Sequence, residues 1–219
     1  MAVFVTGADI LKDAPQCALT PIPTLLDTHA IQIEQKGGSV RLESGLPRVQ
    51  AAVRLGCLLP SPGHPDMPLL RLAVTLLGGY FGSRLMSNIR EQRGYTYGIH
   101  ATIFNVPHDN ALVIACETAT QYADAVVNEV RSELQRLCDE PVGEDELQMV
   151  KNYMEGQFCR RTECSFNYPQ LLMNLLSTGR NMDDLRQEHQ RIQNATPSEI
   201  IEVCRRYFQP DRFFSCIVI

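Results

Sequence analysis

The hydrophobic period of this chain changes at Thr118, and that change limits the folds open to it. Beyond Thr118 the apolar residues Ala123, Val126, Val127, Val130, Leu134 and Leu137 fall on one helical face. Just before it, Tyr97–Phe104 and Ala111–Thr118 read as strands joined by a turn that holds Pro107 and Asp109-Asn110. A period of two puts successive side chains on opposite faces of a strand, whereas a period of about 3.6 gathers them on one stripe of a helix. The chain therefore needs both a sheet and a set of helices to cover it.

The rest of the sequence fills in that plan. Residues 2–6 read as a strand and residues 8–28, rich in proline, as loop. Alternation in His29–Gln35 and again at Val40 and Leu42, on either side of Gly37-Gly38, predicts a hairpin. Val49–Leu59 is a longer strand. Ser61-Pro-Gly-His-Pro65 interrupts the chain, and Pro68 suits the first turn of a helix carrying Leu69, Leu72, Ala73, Leu76 and Leu77. Gly78-Gly79 ends that helix. A second helix is expected from about Ser83 to Gln92, with Gly94 as its stop. After the helix at 123–137, Pro141-Val-Gly143 connects to one marked by Leu147, Val150, Met154 and Phe158, and Leu171–Leu176 lies in a third. Thr196-Pro-Ser-Glu199 is a capping box opening a helix with Ile200, Ile201, Val203, Cys204 and Tyr207. Pro210 stops it, and Phe213–Val218 is a terminal strand expected to return to the sheet beside an earlier one. The order predicts an α+β fold, an antiparallel or mixed β-sheet with helices packed on one face.

Composition excludes some classes of function. The net charge of −5 offers no basic excess for nucleic acid. The longest apolar stretch, Leu69–Leu77, is broken by Arg71 and Thr75 and is far short of the roughly 20 residues of a membrane span. The start, Met1-Ala-Val-Phe-Val-Thr-Gly7, lacks the basic and long apolar regions of a signal peptide; it reads as a strand entering a turn, in a natural start or in a piece cut from a longer chain. None of the eight cysteines forms a C-x-x-C pair, so they are expected to be free core thiols, a pattern that favours a reducing, cytoplasmic setting.

The most informative stretch is Gly78-Gly-Tyr-Phe-Gly-Ser-Arg-Leu-Met-Ser-Asn-Ile-Arg-Glu-Gln-Arg-Gly-Tyr-Thr-Tyr97. On a helix Arg90 and Arg93 share a face. In an extended segment Tyr95 and Tyr97 would point to one side of the sheet. Guanidinium and phenol groups can donate hydrogen bonds to carbonyl or carboxylate oxygens, which would suit a grip on a peptide backbone. Equally, the stretch reads as a solvated helix face with ion pairs such as Glu91 to a neighbouring arginine. The glycine pairs match neither G-x-G-x-x-G nor a Walker loop, which argues against a nucleotide-binding enzyme.

The same stretch resembles the signature of the C-terminal domain of the insulinase/pitrilysin family, which includes mitochondrial processing peptidase. That signature, G-G-x-F-x-S-R-L-x-x-x-I-R-E-x-x-G-x-x-Y, is matched at Gly78, Gly79, Phe81, Ser83, Arg84, Leu85, Ile89, Arg90, Glu91, Gly94 and Tyr97. Looser similarity includes Val3–Gly7, Gln50–Gly56, Pro141, Glu144–Leu147, Lys151 and Arg206–Arg212, and it weakens over residues 8–45. The resemblance implies that residues 1–219 form one non-catalytic C-terminal domain, half of a two-domain metallopeptidase clamshell. In such enzymes the N-terminal half carries an inverted zinc motif, H-x-x-E-H. This chain has no such motif among its five histidines, His29, His64, His100, His108 and His189, each of which reads as surface or structural.

The resemblance thus places the zinc in a zinc-bearing N-terminal domain or partner subunit and implies that this chain alone is inactive. It implies that Arg90 and Tyr97, with Arg93 and Tyr95 as nearby competitors, contact a peptide substrate; Arg84, early in the helix beside Gly82-Ser83, reads instead as one half of an ion pair inside the domain. Some relatives have lost catalysis, so a dead peptide-binding or structural assembly subunit is the alternative. An isolated half would expose its chamber face and could pair with a second copy as a homodimer.

Overall fold

A computed structural model describes residues 34–43, 45, 48–106, 109–163 and 166–219. The expected strand at 2–6, the loop at 8–28 and the first arm of the hairpin up to residue 33 lie outside these residues.

Among the described residues five strands form one mixed sheet: β1 (Gly38–Leu42), β2 (Gln50–Leu59), β3 (Thr96–Val106), β4 (Asp109–Ala119) and β5 (Phe214–Val218), in the order β1-β5-β2-β4-β3. β1 and β5 are parallel, with Val40 opposite Cys216, and the other pairings are antiparallel. The terminal strand does return to the sheet, between β1 and β2. Among the described residues β5 is the neighbour of β1, so the alternation at Val40 and Leu42 serves a parallel pairing across the length of the chain.

The alternation in β2 sorts its faces. Ala51, Val53, Leu55, Cys57 and Leu59 are at most 5% exposed and join one core with the helices, while Arg54 on the other face pairs with Glu117 at 2.5 Å. Asp109 and Asn110, expected in the turn, already belong to β4. The Asn110 side chain is fully buried, and its Nδ2 donates to the Pro60 carbonyl at 2.7 Å. That bond satisfies the NH₂ end of the amide at a core position.

The helices lie against the buried face. Helix α1 (Met67–Val74) has proline in its first turn and runs into a wider π-helical turn, Thr75–Gly79. Helix α2 (Ala123–Asp139) buries the stripe read from the sequence. Helix α3 (Glu144–Glu163) buries Leu147 and Val150, and Lys151 Nζ donates to Ala195 O at 2.7 Å. Helix α4 (Tyr168–Ser177) packs Leu171 and Leu175 with Leu185 in a small second cluster. Helix α6 (Pro197–Tyr207) begins with the capping box expected at Thr196 and Glu199. Phe208 and Phe213 beyond it are fully buried, each contributing about 1.5–3 kcal/mol by burial.

Helix α5 (Met182–Gln193) was not expected. It buries only Leu185 and Ile192, too few to mark a period, and its start is an Asn181–Asp184 capping box. In that box Asn181 Oδ1 accepts from Asp183 N and Asp184 N, and Asp184 Oδ2 accepts from Asn181 N. Capping and tertiary packing hold the helix where its apolar pattern is sparse.

Candidate functional site

The segment 78–97 forms a connected unit that leads from the end of α1 to the edge strand β3. Gly78 starts it with φ −160° and ψ 19°. A Cβ there would lie 2.8 Å from Ala101 N and 2.9 Å from Ala101 Cβ, so only glycine lets the chain pass this close to β3. The expected second helix follows, wound as a π-helix over Met86–Gln92 with Leu85 and Ile89 fully buried beneath it. Gly94 ends it with φ +66°, where Gly94 N donates to Arg90 O at 3.2 Å and Tyr95 N to Ile89 O at 3.0 Å.

Polar contacts sort the arginines of this segment. Arg84 donates through Nε and Nη2 to the two carboxylate oxygens of Glu146, each at 2.8 Å, the ion pair within the domain that its position suggested. The Glu146 hydrogen bond raises the Arg84 pKa against the effect of burial. Arg93 is tied to α2, with Nη2 2.9 Å from Glu129 Oε1 and Nε donating to Asn88 Oδ1 at 2.9 Å. Asn88 in turn donates to Glu129 Oε2 at 3.1 Å and to Glu133 Oε1 at 2.8 Å, and Glu133 is 2% exposed. Arg90 is half-buried and has no carboxylate partner among the described residues; its guanidinium sits over the Phe81 ring, 4.7 Å from the centroid. A cation over an exposed aromatic face is held loosely, by about 0.5–1 kcal/mol.

The tyrosines part in the same way. Tyr95 is half-buried, stacks on Tyr122 at 4.7 Å and accepts through its carbonyl from Thr118 Oγ1 at 2.6 Å. Tyr97 is 96% exposed. The extended run that would put both on one side does not include Tyr95, which precedes β3 and packs against the core, whereas Tyr97 lies at a bulge: Thr96 pairs with Thr118 and Ile99 with Cys116, so Tyr97 and Gly98 stand opposite Glu117 alone. Thr96 Oγ1 holds the bulge, donating to Glu117 O at 2.6 Å and lying 3.1 Å from the Gly98 N–H. Bulges re-aim a side chain at a sheet edge, and here the extra residue presents Tyr97 to solvent. No hydrogen bond or ring contact joins Arg90 to Tyr97 among the described residues. Sequence reasoning gave no role to Phe81, the platform for Arg90, nor to Asn88, the link between Arg93 and α2; both act across sequence separations that no local pattern marks.

Among the described residues no three of His, Cys, Asp and Glu come together to hold a metal ion. His64 Nδ1 accepts from Asp66 N at 3.1 Å, His189 Nε2 lies 2.8 Å from Glu155 Oε2 and its ring stacks on Phe158, and His100 is exposed. His29 and His108 lie outside the described residues. Cys57, Cys116, Cys138 and Cys204 are buried free thiols, and Cys159 and Cys216 are half-buried and free. Burial pushes the Cys57 thiol up to about 12 and Cys138 to about 11, so neither is a nucleophile near neutral pH.

Residues 20–154 match the family described as the peptidase M16 inactive domain. Among solved structures, the fold is similar to a peptidase M16 inactive domain from Pseudomonas fluorescens, with a TM-score of 0.75 and 21% identity, covering 85% of this chain and 45% of that one. It is similar to a protease from Helicobacter pylori, with a TM-score of 0.77 and 19% identity over 89% of this chain and 48% of that one. It is also similar to an inactive peptidase domain from Bordetella parapertussis, with a TM-score of 0.70 and 16% identity over 80% of this chain and 96% of that one. The chain thus spans about half the length of the first two. No curated protein matches it by sequence.

Proposed function

Because this chain belongs to the peptidase M16 inactive-domain family, we propose that it is the non-catalytic, substrate-gripping half of a zinc-dependent endopeptidase. The zinc and its H-x-x-E-H ligands come from another domain or subunit, and this half closes over the peptide held there. The observation that carries the reading is the sorting of the 78–97 segment. Glu146 engages Arg84, Glu129 and Asn88 engage Arg93, and Tyr122 stacks on Tyr95, while Arg90 and Tyr97 keep their donors unspent. A guanidinium and a phenol that need break no strong contact can donate to peptide carbonyl oxygens and to the oxyanion formed when water attacks. Arg93 and Tyr95 act instead by fixing the segment that carries that pair.

The test is hydrolysis of a quenched fluorescent peptide by this chain, by the zinc-bearing half and by the two together, with a chelator control. Activity only in the mixture, lost with chelator, is expected. Within that mixture Arg90→Ala and Tyr97→Phe are each expected to lower turnover by about 10²–10³, the usual worth of one oxyanion donor. Unchanged turnover in both variants would remove the assigned residues. An assembled but inactive mixture would mean a binding or structural subunit, and activity from this chain alone would overturn the reading.

A further inference from the structure

Away from the 78–97 segment, three arginines converge on one carboxylate. Arg71 of α1, Arg161 of α3 and Arg180 before α5 line a cavity of about 230 Å³ with Glu188, Asn174 and Thr178. Glu188 is already committed at both oxygens: Oε1 lies 2.7 Å from Arg71 Nε, and Oε2 accepts from Arg180 Nη2. The Glu188 and Arg180 side chains are only 10% and 14% exposed. Arg161 has no ion-pair partner among the described residues. Although the residue as a whole is exposed, shielding of its guanidinium lowers its pKa, as do the nearby charges of Arg71 and Arg180, with Glu188 opposing. Asp184, a carboxylate lining the adjoining pocket, caps the start of α5.

Three guanidinium charges therefore face one carboxylate in a partly water-excluded cleft, leaving two positive charges unmatched. Arg71 and Arg180 are held in place by Glu188, and Arg161 lines the same cavity with no carboxylate of its own among the described residues. The Schellman turn at Gly179 (φ +67°) fixes Arg180, where Arg180 N donates to Leu175 O at 2.8 Å and Gly179 N to Leu176 O at 3.1 Å. The cavity also offers neutral donors. Asn174 Oδ1 already accepts from Gln170 Nε2 at 3.1 Å, which leaves its own NH₂ group to give. Planar guanidinium forks match the geometry of tetrahedral oxyanions, and an excess of two positive charges suits a dianion.

We infer that this cleft between α1, α3 and α5 binds a phosphate dianion, free or as the phosphomonoester of a small molecule, through Arg161 with Arg71 and Arg180. The site is independent of the peptide-binding role proposed above and is tested without any peptidase partner. Inorganic phosphate is titrated into the full chain at constant ionic strength held with sodium chloride, followed by calorimetry and by the thermal midpoint. Saturable binding and a rising midpoint are expected. Arg161→Gln, which leaves both Glu188 pairs in place, is expected to weaken phosphate binding by about 10- to 100-fold, the equivalent of one charge-assisted hydrogen-bond set. AMP is the second probe: tighter binding than phosphate, lost in the same variant, supports a phosphomonoester, and binding no tighter supports the free anion. No saturable phosphate binding, or equal affinity in Arg161→Gln that retains the wild-type melting temperature, would overturn the inference.

Discussion

Replacing Gly94 by alanine tests whether the segment carrying Arg90 and Tyr97 is set by backbone conformation. Gly94 has φ +66° and a Cβ added there would meet nothing within 4 Å, so any loss reports on backbone strain and not on a clash. Holding an alanine in the left-handed region costs about 1–2 kcal/mol. The narrower unfolded ensemble of alanine returns about 0.4–1 kcal/mol. The net expectation is a loss of about 1 kcal/mol. Gly156 is the internal comparison: it lies inside α3 with ordinary helical φ and nothing within 4 Å of an added Cβ. There alanine should gain about 0.8–1 kcal/mol from helix propensity. For a chain of 219 residues, each kcal/mol moves the melting temperature by about 2–4 °C. The same chemical change at two sites should therefore separate the two variants by about 4–8 °C in opposite directions from wild type. Thermal and urea unfolding of the three proteins measure it, and Gly94→Asn should recover part of the loss because asparagine tolerates this conformation. If Gly94→Ala were as stable as wild type, the left-handed cap would not be what ends the π-helix, and the reasoning would fail.

Arg84→Ala should cost about 2–3 kcal/mol, because it leaves Glu146 without its two-pronged partner; the double variant with Glu146→Ala should cost less than the two single losses together, read by a double-mutant cycle in urea. The Glu199 carboxyl is held down to about 2, first by the hydrogen bond from Arg191 and then by the Thr196 backbone, against an ordinary 4.5. A depressed folded pKa stabilises the fold above the unfolded value, so this contribution is present above about pH 4.5 and is lost as the pH falls towards 2; Glu199→Gln should flatten that acid limb of stability against pH, followed by circular dichroism. Thr196→Ala removes the cap of α6 and should cost about 1 kcal/mol in the same assay. Native protein at pH 8 should leave Cys57, Cys138 and Cys204 unmodified by a thiol reagent, with modification at these positions appearing only after unfolding; mass spectrometry locates the sites.

Much of the fold was legible in the sequence because it is written in local terms. The alternation of Ala51, Val53, Leu55, Cys57 and Leu59 fixes which face of β2 is buried, and the stripe from Ala123 to Leu137 fixes α2. Pro68, Gly94 and the Thr196–Glu199 box mark helix ends by backbone chemistry that any chain must obey. Helix α5 escaped because Leu185 and Ile192 alone carry its buried face, and Asn181 with Asp184 is a less familiar capping pair.

The sequence by itself determined the α+β class, most of the elements and the segment where Arg90 and Tyr97 lie. Only the tertiary structure decided what those residues are free to do. The parallel pairing of β1 with β5, the stacking of Tyr95 on Tyr122, and the network from Arg93 through Asn88 to Glu129 all join residues far apart in the chain. The cleft of Arg71, Arg161 and Arg180 around Glu188 is the extreme case. Each of its charges reads as an ordinary surface residue of its own element, and their excess exists only because packing brings separate elements together.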